Sequence, residues 1–578
     1  MKFHTLYLVL LSTLIFTLNG CGGGSSSTST PVDPTNPTKP TNPIEPTEPT
    51  TVNPEVNITD DYQVESLGTA NTINATVSLG NTPKDLYLLL SNYATSSASS
   101  TITHNAKVVE IKAQSKFISP AGLTKKPLIL RAPKYVKDFN TNVGALLSKA
   151  NATQPQAKTV AIPERNEDVV GNSQIFYLDA EGTQTTTATV RKVMSNVTTN
   201  FGSKTLNILV SDNSFDSGSG CSKSRCVTQD MVDQLAKTFL VSGLDNDIYD
   251  WVTNIYEEEW GSAAKAKHNY FISETDEITI LLTDIDEDNN PGGGVIGFFW
   301  SKDNYDKTTF RGSNEKIMFY ADAVMFANTD LGDFWQKEMY STLAHEFQHM
   351  IHFYQKTTLL ADDTTNTWVE EMLSETTEDI IATKIQHIGP RGVEYTDGSA
   401  GEIDNASGRY PLFNKNNTLS LTRWNNRLED YSKVNAFGTY LIRNYGGAKL
   451  LHDIMHNTYV DEQAIIYAVN QSAEGAGKTF NNLLSEWGVA ILLSDIESPE
   501  NLPTYNTGDF IDRRYKDITY NMGSINFFNY DPLPTIHTTD GTVSAQGNYY
   551  YKIGNNVMGD INISLELNGQ TEATLIAK

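Results

Sequence analysis

The sequence predicts an α+β protein in which a sheet-forming half precedes a helical half, with strand-rich segments at either end. Three observations carry this. Short apolar runs bounded by polar turn residues recur at Thr205–Val210, Ile278–Thr283, Val295–Trp300 and Lys316–Tyr320. From about Trp335 to Glu497 the apolar residues fall at helical spacing. Strand character occupies residues 57–161 and returns over 498–578. The 578 residues carry 43 Lys+Arg against 69 Asp+Glu, a formal net charge of −26. A surface so acidic repels nucleic acid and anionic lipid, which excludes them as principal partners. Three cysteines cannot build a disulfide scaffold or a cysteine-rich zinc module. Any chemistry must therefore come from His, carboxylates and hydroxyls.

Along the chain, residues 1–20 form a secretory signal: Lys2 and His4 precede an apolar run from Leu6 to Leu18 that is too short for a transmembrane helix. The ending Leu18-Asn19-Gly20-Cys21 resembles the lipobox of bacterial lipoproteins, which implies acylation at Cys21. Residues 21–56 are a Gly/Ser leader followed by prolines at every third position from Pro31 to Pro49. That period matches the three-residue turn of polyproline II and describes a semi-rigid stalk. Residues 57–161, with strands at Asp85–Leu90 and Lys107–Ile111, are expected to form a small N-terminal β-sandwich. Residues 162–497 then hold the chemistry, with a helix expected over Gln229–Leu240. Residues 498–578, including Asn548–Ile553, are expected to form a separate C-terminal β module.

The chemistry lies in Thr342-Leu343-Ala344-His345-Glu346-Phe347-Gln348-His349-Met350-Ile351. His345 and His349, four apart on a helix, face the same side and can share one metal ion. Glu346 is turned about 100° from His345, beside such a metal, where a general base belongs. Neutral imidazoles with an oxygen ligand suit zinc. Apolar Phe347, Met350, Ile351 and Phe353 mark the helix as buried, and buried polar groups need partners. No third His follows at metzincin spacing, so the third ligand is expected as a glutamate from a second helix, the gluzincin arrangement. That helix is Thr367-Trp368-Val369-Glu370-Glu371-Met372-Leu373-Ser374-Glu375, with Thr367 as N-cap and Ala361–Thr365 as the reversing loop. Glu371 and Glu375 share a helical face and Glu370 points away. This favours Glu371 as ligand, with Glu375 its rival for that role, and Glu375 as the carboxylate behind the His345 imidazole.

These two strings, Thr342–Phe353 and Trp368–Glu375, resemble the hyicolysin family of secreted bacterial metallopeptidases, within the gluzincins. The second is also similar to the corresponding string of the M1-type aminopeptidases. The resemblance extends from Ile280–Ile285 and Gly297–Trp300 to the end of the helical region. It implies a gluzincin-type catalytic domain, a zinc cofactor and peptide-bond hydrolysis, with substrate laid along an edge strand, for which Gly294–Trp300 is the candidate. The start Tyr431-Ser432-Lys433 is similar to the M1-type helix that carries the catalytic tyrosine, which implies that Tyr431 stabilises the oxyanion. Tyr440 and Tyr445 have the spacing of packing residues. His352 and the 21 residues between His349 and Glu371 depart from the family pattern.

Two further features complete the reading. Asp284, Asp286, Asp288 and Asn290 alternate as in a calcium loop, although Asn289 and Val295 exclude an EF-hand. Cys221 and Cys226 are expected to form a local disulfide outside the cytoplasm. The sequence thus describes a zinc endopeptidase of the bacterial cell envelope, lipid-anchored or secreted, acting on protein or peptide substrates. The rivals are a surface adhesin keeping an inactive fold of this kind, and an aminopeptidase, whose characteristic strand signature is absent.

Overall fold

A computed structural model describes residues 50–106, 129–130, 132–142, 146, 168–218, 220–360, 364–387, 409–497, 501–506 and 511–578. The leader, Cys21, the proline stalk and the strand expected at 107–111 lie outside these residues. Within 49–578 the chain forms one compact unit.

At its centre is a six-stranded sheet in the order Gly297–Phe299, Ile317–Asp322, Glu277–Thr283, Gly202–Ser211, Thr185–Thr199 and Ser173–Tyr177. The three adjacent strands Ile317–Asp322, Glu277–Thr283 and Gly202–Ser211 run parallel, and Gly297–Phe299 pairs antiparallel at one edge. Two of the expected strands fall inside these elements, and Lys316–Tyr320 does so from its second residue. The fourth, Val295–Trp300, is broken: Gly294–Val295 and Gly297–Phe299 are separate strands. The hairpin Ser173–Tyr177/Thr185–Thr199 was not foreseen, because its threonine-rich second strand lacks strong apolar alternation.

Helices cover the sheet and then form the second half. Gln229–Phe239, Phe334–Ile351, Thr367–Ile385, Leu428–Asn444 and Phe480–Leu492 are the principal ones. Thr367–Ile385 is buried on nearly every side, because it is packed between the helices Phe334–Ile351 and Leu428–Asn444. Its cap residue is Asn366, one position before the expected Thr367. The approach of Leu428–Asn444 is close at Gly438, where a Cβ would collide with Thr376 Oγ1 and lie 3.0 Å from Met372 Cγ.

The two terminal β regions are one structure rather than two modules. One sheet joins Thr72–Ser78 and Thr101–His104 to Asp560–Glu566, and a second joins Lys84–Asn92 and Gln63–Gly68 to Gly547–Val557 and Thr571–Ala577. Leu86, Leu88 and Leu90 face the sandwich interior, whereas Tyr87 and Leu89 pack into the main core. A strand buried on both faces reads as a continuous apolar run, so its sequence does not reveal that it joins two cores. The separate N- and C-terminal modules expected from sequence are corrected accordingly, since strand pairing across some 450 residues leaves no local signal.

Gly438→Ala is expected to destabilise the protein by about 1–3 kcal/mol through overpacking against Met372 and Thr376. Thermal unfolding, read as a lowered Tm, measures it.

Candidate metal centre

The helix Phe334–Ile351 carries His345, Glu346 and His349. It continues as a π-helix over His352–Leu360. This extension takes up part of the long connection to Glu371 and places buried His352 with its Nδ1 3.5 Å from Glu370 Oε1. The next helix brings Glu371 opposite the two histidines. His345 Nε2 and His349 Nε2 are 3.2 Å apart, and Glu371 Oε2 stands 3.3 Å from the first and 3.6 Å from the second.

These three atoms fit a zinc ion. Ligands at about 2.0–2.1 Å from zinc, at tetrahedral angles, stand about 3.3–3.4 Å apart. Glu371 Oε2 is buried with no hydrogen-bond partner, although it is a carboxylate oxygen in the interior. Such an atom is costly unless a cation faces it. His345, His349 and Glu371 could therefore hold the metal.

Behind the histidines, the structure assigns the supporting carboxylate differently from the sequence expectation. Glu378, not Glu375, meets His345: its Oε1 lies 2.8 Å from Nδ1, while Ser341 Oγ donates to its Oε2 at 2.6 Å. This hydrogen bond orients the ring so that Nε2 faces the site. Glu375 instead forms a two-point ion pair with Arg409, at 2.8 and 3.1 Å, and accepts from Asn435. The reason is the rotation of the helix. Glu371, Ser374 and Glu378, spaced three and four apart, make the stripe that faces the His345 helix. Met372, Glu375, Thr376 and Asp379 face Leu428–Asn444 and its neighbours.

Glu346 points into the same space. Its Oε2 accepts from the Phe299 N–H at 3.0 Å, and its Oε1 is buried without a partner. The edge strand can come this close because residue 297 is glycine: a Cβ there would sit 3.0 Å from Tyr320 O and 3.3 Å from Thr342 Cγ2.

Charge at the site follows from these contacts. Burial alone would lower the His345 pKa, but the facing carboxylates of Glu371 and Glu378 outweigh it and lift it to about 9. Burial opposes ionisation of Glu371, yet Lys137 and the two histidines hold its carboxyl well below the usual range. Metal ligation requires the neutral His345 imidazole, so zinc binding there would release that proton. Glu370 is pushed up to about 8 by burial and by Glu371. Burial, His349 and Lys356 push His352 down to about 3.

Tyr431 is buried. Its ring packs edge-on against Trp424 with centroids 5.0 Å apart and lies 4.3 Å from Lys137 Nζ, which is itself bonded to Glu371. Arg409, held by Glu375, stands 5.2 Å from the same ring. Tyr440 and Tyr445 are elsewhere, bonded to each other and to Glu486.

Cys221 and Cys226 are joined as a disulfide. In the Asp284–Asn290 loop, Lys223 from the disulfide loop donates to Asp284 Oδ2, the Asn289 N–H donates to Asp284, and the Asn290 N–H donates to Asp288 Oδ1. Glu257, His452 and His456 form a further group of potential ligands. The histidines' four-residue spacing is the signal that could have found it. Among the described residues no helix is long and apolar enough to cross a membrane.

An HExxH helix, a glutamate from the following helix and a sheet edge above both define a zinc peptidase of the gluzincin type. The peptidase M30 family matches residues 183–506, more than half of the chain, and the chain belongs to that family. The neutral metalloprotease ShpI of Staphylococcus hyicus is 27% identical over 229 residues, 38% of this chain and 46% of that protein, so the alignment spans about half of the relative's length. Two crystal structures of the M1 zinc metallopeptidase from Deinococcus radiodurans, one of them a point mutant, align over 72% of this chain and 62–63% of theirs. Both are 10% identical to it, with TM-scores of 0.27 and 0.28.

Replacing Glu378 by Gln is expected to weaken zinc affinity about 10–100-fold, as loss of a carboxylate behind a ligand histidine does. Glu375→Gln should change it much less. Zinc titration against a competing chelator compares the two.

Proposed function

We propose that the chain is a zinc-dependent endopeptidase that hydrolyses peptide bonds of extracellular proteins. The observation that carries this is the convergence of His345 Nε2, His349 Nε2 and Glu371 Oε2 beside the unpartnered Oε1 of Glu346. A purely structural metal site has no use for that fourth group. Zinc, when bound, supplies Lewis acidity, polarising the scissile carbonyl and acidifying water near neutral pH. Glu346, oriented by the Phe299 N–H, takes the proton of the attacking water at Oε1 and delivers it to the leaving amine. The Tyr431 hydroxyl donates to the oxyanion as it develops. The Phe299–Ser301 edge aligns the substrate backbone. The sequence features at Cys21 and in the stalk support a bacterial envelope location, with the catalytic part held away from a lipid anchor.

Digestion of casein, with and without a zinc chelator, tests the activity. Chelator-sensitive cleavage is expected, and a peptide with a blocked N-terminus should also be cut, which an aminopeptidase would leave intact. Zinc-loaded protein that cleaves neither substrate, before or after limited proteolysis of the chain, would favour the adhesin reading. Glu346→Gln should keep its zinc and lose about 10²–10⁴-fold in turnover, because only the base is removed. Tyr431→Phe should keep fold and zinc while kcat falls about 10²–10³-fold. Normal turnover by that variant would remove Tyr431 from the mechanism.

A further inference from the structure

The cleft beside the metal centre is filled by the chain itself. Ile129–Leu130 pairs in parallel with Gly294–Val295, just before the edge strand of the central sheet. The chain then enters the helix Lys134–Thr141 at Pro133 and lies across the site. Two side chains of this helix make the decisive contacts. Lys137 Nζ donates to Glu371 Oε1 at 2.5 Å. Asn140 Nδ2 donates to Phe299 O at 3.0 Å, and its Oδ1 accepts from Ser301 N–H at 2.9 Å and from Ser301 Oγ at 2.7 Å.

The Asn140 contacts have a specific meaning. Phe298 is paired with Tyr320 across the sheet, so the Phe299 C=O and the Ser301 N–H are turned the other way, toward the cleft. A carbonyl and an N–H two residues apart are the pair that an added strand would engage. The carboxamide of Asn140 satisfies both at once and so imitates one peptide unit of a bound chain. Phe139 anchors the helix, with its ring centroid 4.9 Å from that of Phe310 and 6.0 Å from that of Trp300. Between Lys137, Asn140, Phe299, Glu346, His349 and Glu371 there remains a space of only about 30 Å³, room for about one water and not for a substrate.

The helix is nonetheless lightly held. Only Val136 and Phe139 are buried, Tyr135 is half exposed, and a cavity of about 1020 Å³ bordered by Tyr135, Asp138 and Phe139 opens on its other side.

We propose that residues 132–142 are an internal blocking segment that occupies the substrate cleft, so that this is the latent form and activity requires the segment to be cleaved or displaced. The proposal rests on the peptidase reading for what is blocked, but not for the blockage itself. The block is steric and competitive: Asn140 takes the backbone docking groups, and the Lys137 ammonium covers the outer oxygen of Glu371.

The test uses the full chain, zinc-loaded, with the double variant Phe139→Ala/Asn140→Ala, which loosens the helix and leaves Lys137 in place. Two quantities are measured: the rate of zinc extraction by a small chelator, which reads access to the cleft without any catalysis, and the rate of casein hydrolysis. Both are expected to rise at least tenfold over the unmodified chain. A synthetic peptide with the sequence of residues 132–142, added to the variant, should reverse both rises. That reversal also excludes misfolding as the cause. Unchanged extraction and hydrolysis would overturn the proposal, as would rises that the peptide does not reverse. Faster extraction that the peptide reverses, with no casein cleavage by any form, would uphold the blocking segment and refute the peptidase reading.

Discussion

The carboxylate of Glu371 sets the terms for everything around it. It is 2% exposed, and a buried charge without compensation would neutralise or unfold its surroundings. His345, His349 and Lys137 supply that compensation from two different parts of the chain. Their positions then fix the height and rotation of two helices against each other. The Phe334–Ile351 and Thr367–Ile385 helices meet through polar contacts as well as packing: Ser374 donates to Gln348 at 2.5 Å, and Glu378 joins His345 to Ser341. Each polar partner is satisfied only at one register. A slide of one turn would leave several buried groups unpaired, at about 1–3 kcal/mol each.

The helix carrying Glu371 is held from the opposite side with similar rigour. Arg443 pairs with Asp379 at 2.9 Å, both fully buried, and donates to Gly523 O from its other nitrogens. Breaking a buried pair of this kind by removing one partner typically costs about 3–5 kcal/mol. Thr377 bonds Tyr256 on a third side. Three neighbours on three stripes leave the helix no freedom to rotate, which is what a ligand carboxylate requires, since a small misalignment weakens both metal binding and catalysis. The close contact at Gly438 belongs to the same arrangement.

At the scale of the whole unit, the terminal strands close the structure. Strands from residues 51–104 and 547–577 share both sheets of the sandwich, and Tyr87 and Leu89 carry it onto the helix Phe480–Leu492. Folding of this part is slow, because its pairings have long sequence separation. It also keeps the segment that enters the cleft attached on its N-terminal side to the body of the protein.

The sequence by itself determined the parts of the site that lie on one helix. His345, Glu346 and His349 were legible because a 3.6-residue period converts spacing directly into direction. The strand runs at 205–210, 278–283 and 316–320 were legible from composition and turn residues. Glu371 could be chosen over Glu370 by face, but Glu375 could not be told from Glu378. Both carboxylates lie within a turn or two of Glu371, and which stripe meets His345 depends on the crossing angle of two helices, a quantity that neither helix encodes alone. The joining of the two terminal β regions, and the placement of Lys137 and Asn140 more than 150 residues from the groups they touch, were decided by tertiary structure. Contacts between distant segments depend on how the elements are stacked, and local periodicity carries no record of that.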